Sequence, residues 1–473
     1  MTATTSALGG TVRRREDPAL IQGTGTYVDD VAPVGTIHVA FVRSPFAHAR
    51  INSIDTSAAA SAEGVLAVYT HEDVAHLGDL LAQVVVAKAR PLLAHGTVNH
   101  VGEAVAMVVA ENGYLARDAA DLVEVDYEPL PAVIDLKKAA TDEVKVHDDL
   151  DSNVLVAWEA GPFGDEEGIA NTKQTIADAK DRDDTVTVSI EAVNQRLIPV
   201  AIEPRAVWAE WNDGYGRFEV YSSTQIPHAL AGAIGKTFGV ASNQVRVIAP
   251  EVGGGFGCKL NVYNDEILTC FAAKKLGRPA KWTEGRREAT GSTIHGRGWV
   301  ATATVTGTKD GEILGYELDA IADMGAYEQN FSVAIPFLGL FVGSGQYKFP
   351  THWKATCVLT HTMTTDAYRG AGRPEAAYYL ERVIDAFARE IGVDPVDVRK
   401  KNFLDKFDDA VTSPIGFALL VLLTAASAVS TEGQARARGT CPGFGSPCEC
   451  AWHARDCIPA CAIRPQVECP PAS

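Results

Sequence analysis

The glycine run at residues 253–257 can do chemistry only through its backbone. Glycine lets N–H groups come close to a bulky group, and a helix start beside them favours negative charge. The run ends in Cys258-Lys259-Leu260, so it lacks the Gly-Lys-Ser/Thr of a P-loop and the sixth-position glycine of a dinucleotide fingerprint. Two interpretations stay open: an amide cradle for an anionic ligand, or a tight strand-to-helix turn that binds nothing.

Two other segments place polar side chains where a strand meets a helix. In residues 222–228 the amide of Gln225 follows a predicted strand, and in residues 366–374 Arg369 precedes a predicted helix. Ligands of α/β proteins bind at such edges. Taken alone, Gln225 is better explained as a helix-capping amide and Arg369 as a surface ion-pair partner.

The elements that position these segments follow from the spacing of apolar residues. Residues 37–134 alternate strand and helix signals and predict a compact α/β domain, ended by prolines that cannot donate to a sheet ladder. Residues 135–184 are polar and acidic, and they predict an irregular linker. Residues 185–404 then predict hairpins, helices flanking the glycine run, and a long helix at Pro374–Glu390 with one apolar stripe.

The charge balance excludes two classes of partner. With 42 basic and 60 acidic residues the net charge is −18, which argues against nucleic acid and against an anionic membrane. The first residues lack the apolar core of a signal peptide, and the longest apolar run, at residues 417–429, is too short to span a bilayer. Up to residue 417 the three cysteines are widely spaced, as in a reducing compartment. We therefore expect a cytoplasmic protein.

Five stretches match, in order, what one family carries: residues 15–30, 41–49, 101–106, 203–205 and 252–257. Together with the Gln225 and Arg369 segments, they resemble the molybdopterin-binding large subunits of the xanthine dehydrogenase, aldehyde oxidase and aerobic carbon monoxide dehydrogenase family. The resemblance covers about residues 13–417 and predicts an α+β fold. Its parts are an α/β hammerhead domain at 13–134, a linker at 135–184 and the first half of a molybdopterin-binding domain at 185–404. A truncated, non-homologous tail at 405–473 follows, and we expect it to be irregular and disordered.

The resemblance implies an enzyme that hydroxylates a carbon centre with water, using molybdenum held by the dithiolene of a pterin. It implies that Gln225 hydrogen-bonds an oxygen ligand of the metal, and that Gly254, Gly255, Phe256 and Gly257 present backbone amides to the cofactor. The loop Ala367-Tyr368-Arg369-Gly370 would line the substrate side. Gln225 and Arg369 are thus the predicted catalytic residues, and no side chain is expected to bind the metal itself.

The resemblance also implies partners and a range of substrates. The cofactor would have the cytosine dinucleotide form. An iron–sulfur small subunit and an FAD-binding medium subunit would take the electrons in a dimer of heterotrimers. The substrate would be an aldehyde, an N-heterocycle or a carbon monoxide-like molecule. Copper-dependent members carry a cysteine directly after the Tyr-Arg of this loop, because Cu(I) prefers a thiolate. Here Gly370 takes that position, and Cys258 is better explained as a small buried thiol, so we do not expect the copper route.

The last 56 residues, 418–473, do not continue the pattern. They hold six of the nine cysteines without a Cys-x-x-Cys pair, so a frame shift or truncation is favoured over a zinc or disulfide module or a membrane anchor. By the resemblance, relatives run about as long again and carry a second cofactor domain with a general-base glutamate, which no glutamate of residues 1–417 replaces. We therefore expect the chain to hold little molybdenum and to be inactive. The alternative function is that of a non-catalytic fragment.

Overall fold

The computed structural model describes residues 13–80, 84–160 and 166–404, so the predicted disorder of residues 405–473 falls outside the described residues. Within these residues the chain forms fifteen strands. Their bounds are β1 Ile37–Arg43, β2 Ala49–Asp55, β3 Val65–Tyr69, β4 Thr97–Val98, β5 Ala104–Ala110, β6 Glu124–Pro129, β7 Val154–Ala160, β8 Thr185–Asn194, β9 Ala206–Asn212, β10 Arg217–Ser222, β11 Val245–Ile248, β12 Ala280–Thr283, β13 Trp299–Thr308, β14 Ile313–Gly325 and β15 Thr351–Leu359.

Twelve α-helices accompany them in the same residues. Their bounds are α1 Asp17–Ile21, α2 Ser57–Ala60, α3 His71–Val74, α4 Gly113–Ala120, α5 Leu136–Ala139, α6 Glu166–Lys180, α7 Pro227–Phe238, α8 Asn264–Leu276, α9 Arg286–Ser292, α10 Ala334–Leu340, α11 Arg373–Ile391 and α12 Pro395–Asn402. No helix in this part of the chain is long and apolar enough to cross a membrane.

A mixed seven-stranded sheet crosses the boundary predicted at residue 134. Its order is β11-β10-β9-β12-β1-β5-β3, so strands from both predicted domains share it. The link is the parallel pairing of β1 with β12, at Ile37 with Ala280 and at His38 with Lys281. Strand β5 is buried along its whole length, as both faces of the sheet are covered there. A smaller sheet, β4-β2-β6, completes the first region.

The irregular linker predicted over residues 135–184 is wrong in its local structure. This stretch contains α5, α6 and the strand β7, which pairs antiparallel with β15 at the edge of the sheet β7-β15-β14-β13-β8. Helix α6 packs on that sheet so closely that a Cβ on Gly315 would lie 2.7 Å from Ile176. Within α6 the buried residues are Ile176 and Ala179, and so short an apolar stripe is hard to distinguish from a polar linker.

The elements predicted around the glycine run are confirmed. Strands β9 and β10 form the predicted hairpin, and α7 and α8 end at the left-handed residues Gly239 and Gly277. Helix α11 buries most of its predicted stripe in the core of the five-stranded sheet. The loops that connect β10 to α7, β11 to α8 and β15 to α11 contain the three polar segments, so each of these follows the end of a strand.

Candidate functional site

The glycine loop, residues 253–257, combines left-handed backbone with unpaired amides. Gly254, Phe256 and Gly257 have φ angles of 101°, 53° and 99°. Left-handed residues in close succession turn backbone N–H groups into one concave nest that suits an anion or an oxygen atom. Within the described residues, the N–H groups of Gly254, Gly255 and Phe256 donate to no acceptor. These three amides are therefore free to bind a ligand.

The carboxamide of Gln225 is fixed by the same loop. Its Oε1 accepts hydrogen bonds from the N–H groups of Gly257 at 2.9 Å and Lys259 at 3.3 Å. Because both neighbours are donors, the atom facing them must be the oxygen, which leaves the NH2 group at the other end. Gln225 is exposed, so this NH2 group is an available donor beside the loop. A Cβ on Gly255 would lie 2.4 Å from Oε1, which explains the glycine there.

Two predictions about these residues need correction. The amide of Gly257 was expected to face the cofactor, but it already donates to Gln225. Its missing side chain instead allows close packing, since a Cβ there would lie 1.8 Å from the carbonyl oxygen of Ala367. The interpretation of Gln225 as a capping amide also fails, because the N-cap of α7 is Ile226 and no side chain caps that helix.

Glu203 and Lys259 form a largely buried ion pair that links the start of the glycine loop to the chain just after its end. Glu203 Oε2 accepts from the N–H of Gly253 at 2.7 Å and from Lys259 Nζ at 2.8 Å. The side chain of Lys259 is 1% exposed, so its charge depends on this partner. Neither residue was predicted as part of the site. The signals in the sequence were the family-like stretch at residues 203–205 and a lysine soon after an apolar, glycine-rich turn.

The arginine loop, residues 367–370, lies against the glycine loop. The N–H of Arg369 donates to the carbonyl oxygen of Phe256 at 2.9 Å, and the guanidinium carbon lies 5.9 Å from the centre of the Phe256 ring. Such a contact is a weak cation–π attraction. Arg369 is exposed and forms no ion pair with the described residues, so its charge is open to a ligand rather than paired at the surface. The structure thus brings Gln225, the glycine loop and Arg369 together.

The position after Arg369 has no room for a side chain. Gly370 has a φ of 101°, and a Cβ there would lie 2.6 Å from Cγ of Pro374. A cysteine would be strained in this backbone and would clash with the proline. Cys258 is 3% exposed, and burial raises the pKa of its thiol, which disfavours the thiolate that Cu(I) prefers.

A buried carboxyl fixes the start of the arginine loop. Asp366 is 2% exposed, and its Oδ2 accepts from the N–H of Phe331 at 3.0 Å. Burial raises the pKa of Asp366 to about 6. Sequence reasoning did not single out this residue. Across residues 13–80, 84–160 and 166–404, no group of three His, Cys, Asp or Glu side chains is placed to hold a metal.

Two family models match the chain, and one of them contains all the residues of this site. The molybdopterin cofactor-binding domain matches residues 146–403, which is more than half of the chain. The chain belongs to the xanthine dehydrogenase and aldehyde oxidase family. The a/b hammerhead domain of aldehyde oxidase and xanthine dehydrogenase matches residues 22–131. The α+β fold with a hammerhead and a molybdopterin-binding region is therefore confirmed, and a molybdenum–molybdopterin cofactor is that of the family.

Relatives within the family are oxidoreductases with different substrates in their names. The carbon monoxide dehydrogenase large chain of Hydrogenophaga pseudoflava is 32% identical over 85% of this chain and 51% of its own length. The nicotine 6-hydroxylase large subunit of Paenarthrobacter nicotinovorans is 31% identical over 85% of this chain and 49% of its own. This chain thus spans about half the length of the curated relatives it matches.

Solved structures of family members have the same fold. Quinoline 2-oxidoreductase from Pseudomonas putida 86 matches with a TM-score of 0.80 and 31% identity, over 89% of this chain and 54% of that chain. A Cu,Mo-CO dehydrogenase matches with a TM-score of 0.77 and 32% identity, over 89% of this chain and 55% of that chain. Neighbours of the same fold therefore include both copper-containing and other members of the family.

Proposed function

We propose that the glycine loop, Gln225 and Arg369 form one side of the cofactor site in a molybdenum hydroxylase large subunit. The observation that carries this is the fixed amide of Gln225, whose oxygen is held by two backbone donors while its NH2 group stays free beside three unpaired N–H groups. Four neutral donors in a small area suit oxygen-rich, anionic groups. The residues present therefore fit the pterin cofactor of the family.

The cofactor, when bound, supplies a metal centre that takes two electrons from the substrate carbon. This chain's own residues bind and orient it. The N–H groups of Gly254, Gly255 and Phe256 would hold anionic oxygens without needing to reorganise, because the left-handed backbone already fixes their directions. The NH2 group of Gln225 would donate a hydrogen bond to the bound cofactor, and the guanidinium of Arg369 would orient the substrate.

The proposed substrates are aldehydes or N-heterocycles, hydroxylated at carbon with oxygen from water. Support comes from Gly370, whose φ of 101° and contact with Pro374 leave no room for the cysteine of the copper-dependent route. The names of relatives, nicotine 6-hydroxylase and aldehyde oxidoreductase, fall in these two classes. Carbon monoxide oxidation with copper is accordingly not proposed, although a carbon monoxide dehydrogenase is among the relatives.

The finer features of the assembly are also proposals. They are a cytosine dinucleotide form of the cofactor, an iron–sulfur small subunit, an FAD-binding medium subunit, a dimer of heterotrimers and a cytoplasmic location. The relatives' names, which call them large chains or large subunits, support the presence of smaller partners. The alternative, a non-catalytic fragment, is kept because no glutamate of the described residues has been assigned as general base.

The test measures binding of the cofactor itself. Molybdopterin cofactor released anaerobically from a purified molybdenum hydroxylase is dialysed to equilibrium against the chain, and bound molybdenum is measured by mass spectrometry. Although the purified chain is expected to hold little molybdenum, we expect saturable binding when the cofactor is supplied in excess, with at most one molybdenum per chain. In Gln225→Glu one carboxylate oxygen still accepts from Gly257 and Lys259, but the outer NH2 donor becomes a negative oxygen. We expect its dissociation constant to rise at least about tenfold, or about 1.4 kcal/mol.

The matched control is Gln174→Glu on α6, which makes the same change of charge at an exposed glutamine outside the three site loops. Its dissociation constant should equal that of the unsubstituted chain. Equal binding by Gln225→Glu would contradict the proposed role of the NH2 group. If the unsubstituted chain shows no saturable binding, the non-catalytic fragment is the better function. Dye reduction by the loaded chain, with aldehydes and N-heterocycles as substrates, then distinguishes a binding fragment from an enzyme.

A further inference from the structure

The segment Gly296-Arg297-Gly298 approaches the arginine loop in an unusual backbone conformation. Arg297 has a φ of 63°, a left-handed angle that is uncommon for residues with a side chain. A Cβ on Gly296 would lie 2.4 Å from Cβ of Tyr368, so the two segments are in direct contact. Strained backbone of this kind persists where surrounding contacts over-determine it. The side chain of Arg297 supplies such contacts.

Most contacts of the Arg297 side chain go to the arginine loop. Nη1 donates to the carbonyl oxygen of Tyr368 at 3.1 Å, and Nη2 donates to the carbonyl oxygen of Arg369 at 2.8 Å. The guanidinium carbon lies 4.8 Å from the centre of the Tyr368 ring. A planar guanidinium suits this task, because its rigid fork can reach two adjacent carbonyls while its face stacks on a ring. A single ammonium could not reproduce the arrangement.

A buried carboxylate fixes the arginine in turn. Glu375, in the first turn of α11, lies 3.3 Å from Arg297 Nη1 and has a side chain that is 0% exposed. Its other oxygen, Oε2, has no hydrogen-bond partner among the described residues. Burial raises the pKa of Glu375, and the charge of Arg297 opposes that rise. A buried pair with one unsatisfied oxygen is costly as a device for stability alone.

We propose that Arg297 and Glu375 are positioning residues that hold the arginine loop, and with it the guanidinium of Arg369, against the glycine loop. The bonds form a continuous path from Glu375 to Arg297, from Arg297 to the Tyr368 and Arg369 carbonyls, and from the Arg369 N–H to Phe256. Neither residue of the pair needs to touch a ligand. The expected effect of the pair on cofactor affinity rests on the proposed function, whereas its expected effect on the order of the arginine loop does not.

The first measurement is amide hydrogen exchange of the free chain, read by mass spectrometry on peptides that cover residues 366–372 and 299–308. Arg297→Met keeps an unbranched side chain but removes the fork and the charge. We expect exchange of the loop peptide to increase at least tenfold while the β13 peptide is unchanged. Arg297→Lys keeps the charge near Glu375 and one donor, so it should restore part of the protection. Glu375→Gln leaves the fork in place but removes its charged partner, and should loosen the loop less than Arg297→Met.

The control is Arg399→Met, which removes a guanidinium bonded to Glu381 at 2.7 Å and to Asp385 at 2.8 Å between α11 and α12. It should leave exchange of residues 366–372 unchanged. Equal acceleration of both peptides in Arg297→Met, or no acceleration in either, would overturn the proposal. Should Arg297→Met not fold, Arg297→Lys and Glu375→Gln give the same comparison with smaller changes.

The second measurement is the cofactor dialysis described above, made on the same variants. We expect the dissociation constant of Arg297→Met to rise at least tenfold, with Arg297→Lys intermediate and Arg399→Met unchanged. A loosened loop with unchanged cofactor affinity would overturn the positioning role toward the site. If the unsubstituted chain binds no cofactor, the proposed function fails, while the exchange result still decides whether the pair positions the loop.

Discussion

Gly255 has no Cβ, and this leaves room for the carboxamide of Gln225 beside the glycine loop. Its backbone is not left-handed, so any residue could adopt its angles, but a Cβ would lie 2.4 Å from Gln225 Oε1 and 2.5 Å from Cδ. Those atoms belong to the end of a side chain, which can be displaced more easily than backbone, although the displacement would break the hydrogen bonds from Gly257 and Lys259. A side chain at residue 255 should therefore disturb the amide of Gln225 more than the fold.

The variant that tests this is Gly255→Ala. We expect its cofactor dissociation constant to rise at least about tenfold while its free energy of unfolding in urea falls by less than about 1 kcal/mol. Gly232→Ala is the matched control, because Gly232 lies in α7 with nothing within 4 Å of a Cβ. It should gain about 0.5–1 kcal/mol of stability, as an alanine in a helix does, without a change in affinity. Equal affinity of both variants would contradict the assigned role of Gln225.

At the residue scale, family motifs named the residues that are proposed to face the ligand, but not the residues that support them. Gln225, the glycine loop and Arg369 were named from family motifs, and the structure brings them together. The pairs behind them were not predicted, because Glu203 lies 50 residues before Gly253, and Arg297 lies 78 residues before Glu375. Pairing at such distances depends on how sheets bring strands together, which local patterns do not encode. The occupied amide of Gly257 was missed for the same reason.

At the element scale, the start of α8 contains a carboxyl that burial has made weakly acidic. Glu266 Oε2 accepts from the N–H of Tyr263 at 3.0 Å, and Oε1 accepts from the hydroxyl of Ser222 at 2.6 Å. Burial raises the pKa of Glu266 to about 7 from an ordinary 4.5. The folded chain therefore binds this proton more tightly than the unfolded chain does. The resulting stability is complete below pH 4.5 and is lost as the pH rises through 7.

We expect Glu266→Gln to remove this pH dependence. A shift of about 2.5 units corresponds to about 3 kcal/mol between pH 4.5 and pH 8. The free energy of unfolding of both chains is measured by urea denaturation at several pH values. Between pH 4.5 and pH 8 it should fall by about 3 kcal/mol less in Glu266→Gln than in the unsubstituted chain. Ser222→Ala removes a donor that stabilises the carboxylate, so its free energy of unfolding should keep falling to a higher pH than that of the unsubstituted chain. A Glu266→Gln slope identical to the original would exclude a role for this carboxyl.

The elements that sequence analysis placed correctly are those with strong periodicity or turn signals. Helix α11 has a continuous apolar stripe, and the hairpin of β9 and β10 has an Asn-Asp-Gly turn. The prediction of an irregular linker over residues 135–184 was wrong, because β7 is an edge strand there and α6 buries Ile176 and Ala179. Edge elements need few apolar residues, so their sequences resemble linkers. Such elements become visible only when the partner, here β15, is known.

At the scale of the whole molecule, the hammerhead region and the cofactor region are joined by more than one sheet contact. Besides the pairing of β1 with β12, Glu328 accepts hydrogen bonds from three consecutive N–H groups of residues 86–88, at 2.7 to 2.9 Å. Glu328 is 1% exposed, so these bonds are shielded from water. The sequence predicted two separate domains because local patterns do not show that strands of both regions form one sheet.

The same junction contains histidines that should make stability depend on acidity. The ring of His361 stacks on that of His48 at 4.0 Å, and its Nδ1 accepts from the N–H of Val133 at 3.0 Å. Burial, followed by the charges of His48 and His147, lowers the pKa of His361 to about 3. Burial likewise lowers the pKa of His147, whose Nε2 donates to the Ala326 carbonyl at 2.6 Å, to about 4.

Because both folded values lie below the ordinary 6.5, the unfolded chain takes up protons first as the pH falls. Stability that is present above pH 6.5 is then lost toward pH 4, by about 1.4 kcal/mol per histidine for each pH unit. The raised pKa values of Glu266 and Asp366 act in the opposite direction, so the unsubstituted chain shows only the difference. A variant is needed to isolate the histidine contribution.

The variant His361→Gln isolates the contribution of His361 to the pH dependence of stability. Glutamine keeps an acceptor for the N–H of Val133 but does not titrate. Unfolding at pH 7.5, where both histidines are neutral in either state, gives the packing cost of the substitution. Between pH 6 and pH 4.5 the free energy of unfolding, measured by urea denaturation, should fall by about 1.4 kcal/mol less per pH unit in the variant than in the unsubstituted chain. Parallel curves over that range would mean that His361 is protonated in the folded chain as readily as in the unfolded one. A stability advantage of the variant that grows as the pH falls would show that His361, at the junction of the two regions, contributes to the acid sensitivity of the molecule.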